Sequence, residues 1–224
     1  IEPGMRFEHI EFERFNRLLG VGGKTGLDIV IPGLGVLYEL SGKAVVYDGV
    51  HKGFSPPRVE DVIGNTTGAT VDLEAEESVN WELGVRGDIA PGFFGDVAYF
   101  RLDFANQIVP SSVAGGVGAT LTSAGETLHE GAELLLRASL RDAGYLKRDD
   151  VYLRTSITYL PAAEFTGTRF STIPGSNCAG IVPPVPGPTC VLVTGNRLPY
   201  APEWVWSASI GYDWNKIVSA EVEA

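Results

Sequence analysis

The sequence has no uninterrupted run of about 18 apolar residues, so no segment of it reads as a transmembrane helix. It is short of base, with 17 Lys and Arg against 28 Asp and Glu and a net charge of −11. Nucleic-acid binding wants a basic face, so that class is set aside. The first residues, IEPGMRFEHIEF, offer neither a basic leader nor an apolar core, so they do not read as a signal peptide. The last, IVSAEVEA, end within a strand-like pattern. The chain therefore reads as a piece of a longer protein.

Chemistry-bearing residues are also sparse. No G-x-S-x-G elbow occurs, so the commonest hydrolase nucleophile is missing. The three histidines, His9, His51 and His129, share no ligand spacing. Gly20 to Thr25, GVGGKT, has the end of a phosphate-binding loop, but Leu18 stands where the pattern needs its first glycine, and no helix follows. The two cysteines, Cys178 and Cys190, lie a short Pro- and Gly-rich loop apart. They read as a disulfide in an oxidising compartment, with two free thiols as the alternative.

What is present is alternation. From Glu77 to Val109 the chain reads as one long β-hairpin turning at Ala90-Pro91-Gly92. In the first arm Val79, Trp81, Leu83 and Val85 alternate with polar or small residues. In the second, Ala98, Phe100, Leu102 and Phe104 alternate with Val97, Tyr99, Arg101 and Asp103. Period two places each set on its own face of a strand. Each arm has roughly ten residues or more, against about five to six for an average strand. A tilted strand crosses a bilayer in about 9–11. Further strands are expected over 3–15, 33–40, 44–53, 128–140, 151–159 and 204–214, with a partial strand after Asn215-Lys216. The shared apolar phase predicts that Phe100, Leu102, Phe104, Leu134 and Leu136 all face lipid.

The connections then sort by length. Short ones are expected at 41–43, 90–92, 141–150 and 215–216, and long ones at 17–29, 54–77, 110–122 and 161–198. Alternate connections of an up-and-down barrel lie at opposite ends. Outer-membrane barrels have short turns at one end and long loops at the other. The expected fold is thus all-β: an antiparallel up-and-down transmembrane β-barrel, partial, with about nine strands of a larger barrel.

Several stretches, in this order and spacing, resemble the barrel domain of TonB-dependent outer-membrane receptors. They are PGMRFE (3–8), YDGVHKGFSPP (47–57), EESVNWELGVR (76–86), YFRLDFANQIV (99–109), GETLHEGAEL (125–134) and LPYAPE (198–203). The VHKGFSPP form is most similar to the ferric-citrate branch. The resemblance implies a barrel of about 22 strands plugged by an N-terminal domain. Such a receptor binds a ferric chelate, a siderophore or ferric citrate, and imports it with energy from the TonB complex, in the outer membrane of a Gram-negative bacterium. Residues 1–224 are then a fragment of the barrel domain, with the plug absent. The expected partners are the chelate, outer-membrane lipid and TonB acting through the plug. Ferric iron arrives with its own oxygen ligands, so no resident cofactor, metal ligand or catalytic residue is expected. A passive porin or structural barrel is the alternative, and an outer-membrane enzyme or adhesin using the long loops is a third reading.

An anionic chelate calls for cationic groups at the mouth. Arg58 follows the FSPP motif, and Arg169 and Arg197 lie in the cysteine-bearing loop on the same expected side. Arginine recognises carboxylates through paired hydrogen bonds. These three are the candidate ligand contacts.

Overall fold

The computed structural model describes residues 1–110, 121–170, 191–215 and 217–223. The strands are β1 (Glu2–Asn16), β2 (Val21–Ser41), β3 (Ala44–Ser55), β4 (Glu76–Ala90), β5 (Phe93–Pro110), β6 (Leu121–Ser139), β7 (Asp150–Phe165), β8 (Trp204–Trp214) and β9 (Val218–Glu223). They form a 9-stranded sheet in sequence order, and every neighbouring pair is antiparallel. The one helix among the described residues, α1 (Val59–Val62), is a single turn between β3 and β4. The up-and-down order matches the sequence expectation.

One expected loop is a strand. Residues 17–29 read as a loop because glycines dominate them, yet β2 begins at Val21 and only 17–20 turn, closing with Gly20 at φ 67°. β2 runs for 21 residues. It pairs with β1 from Asn16↔Val21 to Glu2↔Gly35. Main-chain pairing of that length outweighs the poor strand preference of Gly22, Gly23 and Gly26. Segment 56–75, the Pro110 end of β5, the Leu121 start of β6 and the described parts of 166–203 lie at the same end as 17–20. The short turns 42–43 and 91–92 lie at the opposite end.

Directly paired residues share a face, so the register sorts the side chains. One face carries Val36, Val46, Leu83, Val97, Leu134, Ile157 and Trp206 along with their in-phase neighbours. Many of these side chains are exposed. Towards the long loops this apolar band ends in aromatic pairs. Trp81 meets Tyr99 edge-on at 5.4 Å, and Tyr159 stacks on Trp204 at 4.3 Å. Beyond them come ion pairs, Lys52–Glu77 at 2.7 Å and Arg101 with Asp103 and Glu130. Tyr38, Phe93, Tyr212 and Trp214 border the band towards the short turns. An apolar belt between aromatic girdles is the lipid side of a membrane barrel. Asp48 lies within this belt, paired with Val36 and Leu83, and nothing in the structure explains it.

The opposite face is polar towards the short turns, carrying Tyr47, Glu82, Arg86, Asp96, Glu133, Arg137, Arg154 and Glu221. It is the inner wall. On its long-loop half β5 contributes Phe100, Leu102 and Phe104, paired to Glu82, Asn80 and Ser78 on β4. This corrects the expected phase. Leu134 pairs with Val97 and faces lipid, as does Leu136, but Phe100, Leu102 and Phe104 point inward.

The cause is a single residue. Ala90 pairs with Phe93 and Asp88 with Phe94, leaving Ile89 as the extra residue of a β-bulge. Were Ile89 paired with Phe94 in an unbroken ladder, Trp81 would oppose Leu102, and the two apolar sets of the hairpin would share a face. With the bulge Trp81 opposes Arg101. The turn between β2 and β3 repeats the device, with Leu40 extra between Glu39↔Val45 and Ser41↔Ala44.

Candidate ligand-facing site at the long-loop mouth

Two connections build the described part of the mouth. In the first, 56–75, α1 is held open-ended by the Arg58 carbonyl, which accepts from the Asp61 and Val62 amides. The segment then folds back onto the sheet. Val62, Ile63 and Leu73 are buried together, with Phe12 of β1, Val59 and Ile108 of β5 against them. Phe12 is on the inner face, so this small core sits inside the curve of the wall. Arg14 donates to the Ile63 carbonyl at 2.8 Å and Asn16 to the Asn65 carbonyl at 3.0 Å. The backbones at Gly23 and Gly68 come so close that a Cβ at Gly23 would overlap the Gly68 carbonyl. The connection is therefore a folded cover tied to β1 and β2.

The second connection, 166–203, is pinned at both described ends. Phe170 is buried and bridges Leu192. Thr194 donates to the Gly167 carbonyl at 2.8 Å, and the Val193 amide to the Arg169 carbonyl at 2.8 Å. Cys178 and Cys190 fall outside the described residues.

The three candidate arginines have different surroundings. Arg58 is exposed at the start of α1, and its guanidinium has no partner among the described residues. The Arg169 guanidinium lies 4.2 Å from the centre of the Phe165 ring, and burial there pulls its pKa below the usual arginine range. Arg197 spends its fork on main chain: Nη2 donates to the Leu160 carbonyl at 2.7 Å, Nη1 to that of Pro161 at 3.0 Å and Nε to that of Ala201 at 3.0 Å. Arg169 and Arg197 thus belong to one pinned connection, while Arg58 belongs to the other.

The sequence did not point to the inner wall beneath this mouth. There His51, Asn80, Leu102 and His129 stand in one cross-strand row. Asn80 and His51 are 3.2 Å apart, and Phe104 meets His129 edge-on at 5.4 Å. The signal that would have found the wall is the parity of the turn at Pro91-Gly92, because it alone decides which set of β5 faces in.

A family model described as TonB dependent receptor-like, beta-barrel, matches residues 1–222. The chain belongs to the TonB-dependent receptor β-barrel family. Among solved structures it is similar to the ferric yersiniabactin uptake receptor FyuA of Yersinia pestis, at 21% identity and a TM-score of 0.58 over 93% of this chain. It is also similar to the unliganded ferric citrate transporter FecA, at 19% identity and a TM-score of 0.54 over 99% of this chain. The RagAB peptide transporter gives 12% identity and a TM-score of 0.56 over 98%. The chain spans 28%, 36% and 31% of those chains, respectively. At these identities the likeness is one of fold, and that fold serves peptide as well as iron-chelate transporters.

Proposed function

We propose that the chain is part of an outer-membrane receptor of a Gram-negative bacterium that binds a ferric chelate, a siderophore or ferric citrate, and imports it with TonB-coupled energy. The family match across residues 1–222 carries this reading. In it, the apolar belt meets lipid, the inner wall encloses a plug domain, and the plug couples to the TonB complex. The folded mouth supports a receptor over an open pore. Segment 56–75 is packed on the inner face by its own core, where a passive porin needs a clear passage.

Within this reading Arg58 contacts the chelate, since its guanidinium is open for paired hydrogen bonds to carboxylate. Arg169 and Arg197 act by holding the 166–203 connection in shape. The test is uptake of radiolabelled ferric citrate and of a ferric siderophore by cells expressing the full-length protein, with and without a working TonB complex. Accumulation that depends on TonB supports the reading. Uptake at the same rate without TonB, rising in proportion to concentration, points to a passive porin and defeats it.

A further inference from the structure

Arg137 on β6 and Arg154 on β7 stand directly opposite each other on the inner face. Like charges in that relation destabilise a sheet. Arg154 has compensation: it lies 4.8 Å from the Tyr152 ring centre and 3.5 Å from Glu221. Arg137 has none. On this face its cross-strand neighbour on β5 is Phe94, and Leu135 lies two residues back along β6. Its Nε is shielded from solvent and has no hydrogen-bond partner among the described residues. An unmet donor of that kind is costly, because it has lost its water and gained nothing.

The pair opens onto a cavity of about 850 Å³ at the short-turn end of the inner wall, where Ser156 and Ser207 add hydroxyl groups. The acids around this space do not answer Arg137. Glu221 accepts from Tyr152 at 3.0 Å and pairs with Arg154, and Asp142 lies 3.7 Å from Arg141. Asp88 and Glu223 also border the cavity and form no ion pair with Arg137 among the described residues.

We infer that this cavity is an anion site, in which a carboxylate bridges Arg137 and Arg154 with Ser156 and Ser207 beside it. Two guanidinium forks facing one space suit a carboxylate, which accepts paired hydrogen bonds through both oxygens. An anion there turns the repulsion between the arginines into attraction. The carboxylate comes either from a side chain of the receptor's own lumen-filling domain or from solution. The inference does not depend on which cargo the receptor carries.

The test uses the purified full-length receptor, as wild type, Arg137→Gln and Arg137→Lys, melted with and without citrate as the probe. With an anion held between the arginines, Arg137→Gln melts lower than wild type and Arg137→Lys keeps most of the difference. If citrate raises the melting temperature of wild type and not of Arg137→Gln, the carboxylate comes from solution, and citrate affinity falls about tenfold or more in that variant. If citrate moves neither, or both alike, while Arg137→Gln still melts low, the carboxylate is the receptor's own. Without an anion, removing one of two opposed cations relieves repulsion. An Arg137→Gln protein that melts at or above wild type therefore overturns the inference. Equal losses in the Gln and Lys variants also overturn it, because the role is then packing rather than charge. Transport assays stand apart from all these readouts.

Discussion

The Tyr47 hydroxyl donates to Asp96, two strands away, at 2.8 Å. It can do so because its cross-strand neighbour on β4 is Gly84, and the ring lies over that bare backbone. Arg86 closes the group, 5.3 Å from the ring centre. The same arrangement recurs four strands on. Tyr152 crosses Gly211 on β8 to reach Glu221 on β9 at 3.0 Å, with Arg154 over its ring. Each group ties three consecutive strands together on the inner wall, independently of the main-chain ladder.

Gly84→Ala is expected to push the Tyr47 ring aside and break its bond to Asp96. A hydrogen bond to a charged group contributes about 1.5–3 kcal/mol. Unfolding of the full-length receptor in urea checks this. In Tyr47→Ala the glycine no longer has a ring to accommodate, so adding Gly84→Ala to it is expected to cost almost nothing further.

Nitroxide labels placed singly at Leu102, Phe104, Val97 and Leu134 in vesicles test the faces. Labels at Val97 and Leu134 are expected to relax quickly with oxygen dissolved in the bilayer, and those at Leu102 and Phe104 slowly. The reverse order at the β5 positions would return that strand to the phase its sequence suggested.

Ile63→Ala is expected to loosen the mouth cover without unfolding the sheet. Ile63 is 1% exposed, and truncating a buried isoleucine costs about 2–5 kcal/mol. Hydrogen exchange should rise across 59–73 and stay unchanged in β6 and β7. A matching rise in those strands would mean that the cover and the wall unfold as one.

Arg58→Ala and Arg197→Ala are expected to separate binding from architecture. Arg58→Ala should weaken ferric citrate binding roughly ten- to a hundredfold, the equivalent of about 1.5–3 kcal/mol. It should leave stability within about 0.5 kcal/mol. Arg197→Ala removes three donors from carbonyls, so limited proteolysis of the receptor should cut faster within 166–203. Equal cleavage rates in wild type and Arg197→Ala would free that side chain from its structural role.

Much of the wall was legible because membrane strands are long and their alternation is strong. β8 reads from Trp204 to Trp214 in the sequence and in the structure. β6 places Ala132, Leu134 and Leu136 opposite His129, Glu133 and Arg137 as its pattern implies. Two things were hidden. The glycines of 20–26 look like a loop when β1 is not seen beside them. The direction in which Phe100 points depends on Ile89, a residue that carries no signal of its own in a turn where proline and glycine draw the attention. The mouth was legible only as length. Sequence gave no hint that Phe12 and Ile108 would gather Val62, Ile63 and Leu73, since those contacts join positions far apart in the chain. Nor did it distinguish Arg58 from Arg197, because carbonyl partners depend on where the main chain passes.

The extra residue at Ile89 also makes the two ends of the sheet unequal towards insertions and deletions. A change in length within 56–75 is taken up between β3 and β4 before the next strand begins. Deleting Ile89 only removes the bulge: Ala90↔Phe93 and Asp88↔Phe94 become successive rungs, and every later pair, Trp81↔Arg101 included, is kept. A second deletion at that turn has no such slack to draw on, and would turn Arg101 and Asp103 inward and Phe100, Leu102 and Phe104 outward. In lineages descended from such a chain, length is expected to vary freely at the mouth. At the turn between β4 and β5 a loss of one residue should be tolerated and a loss of two should not, because the bulge holds a single residue in reserve.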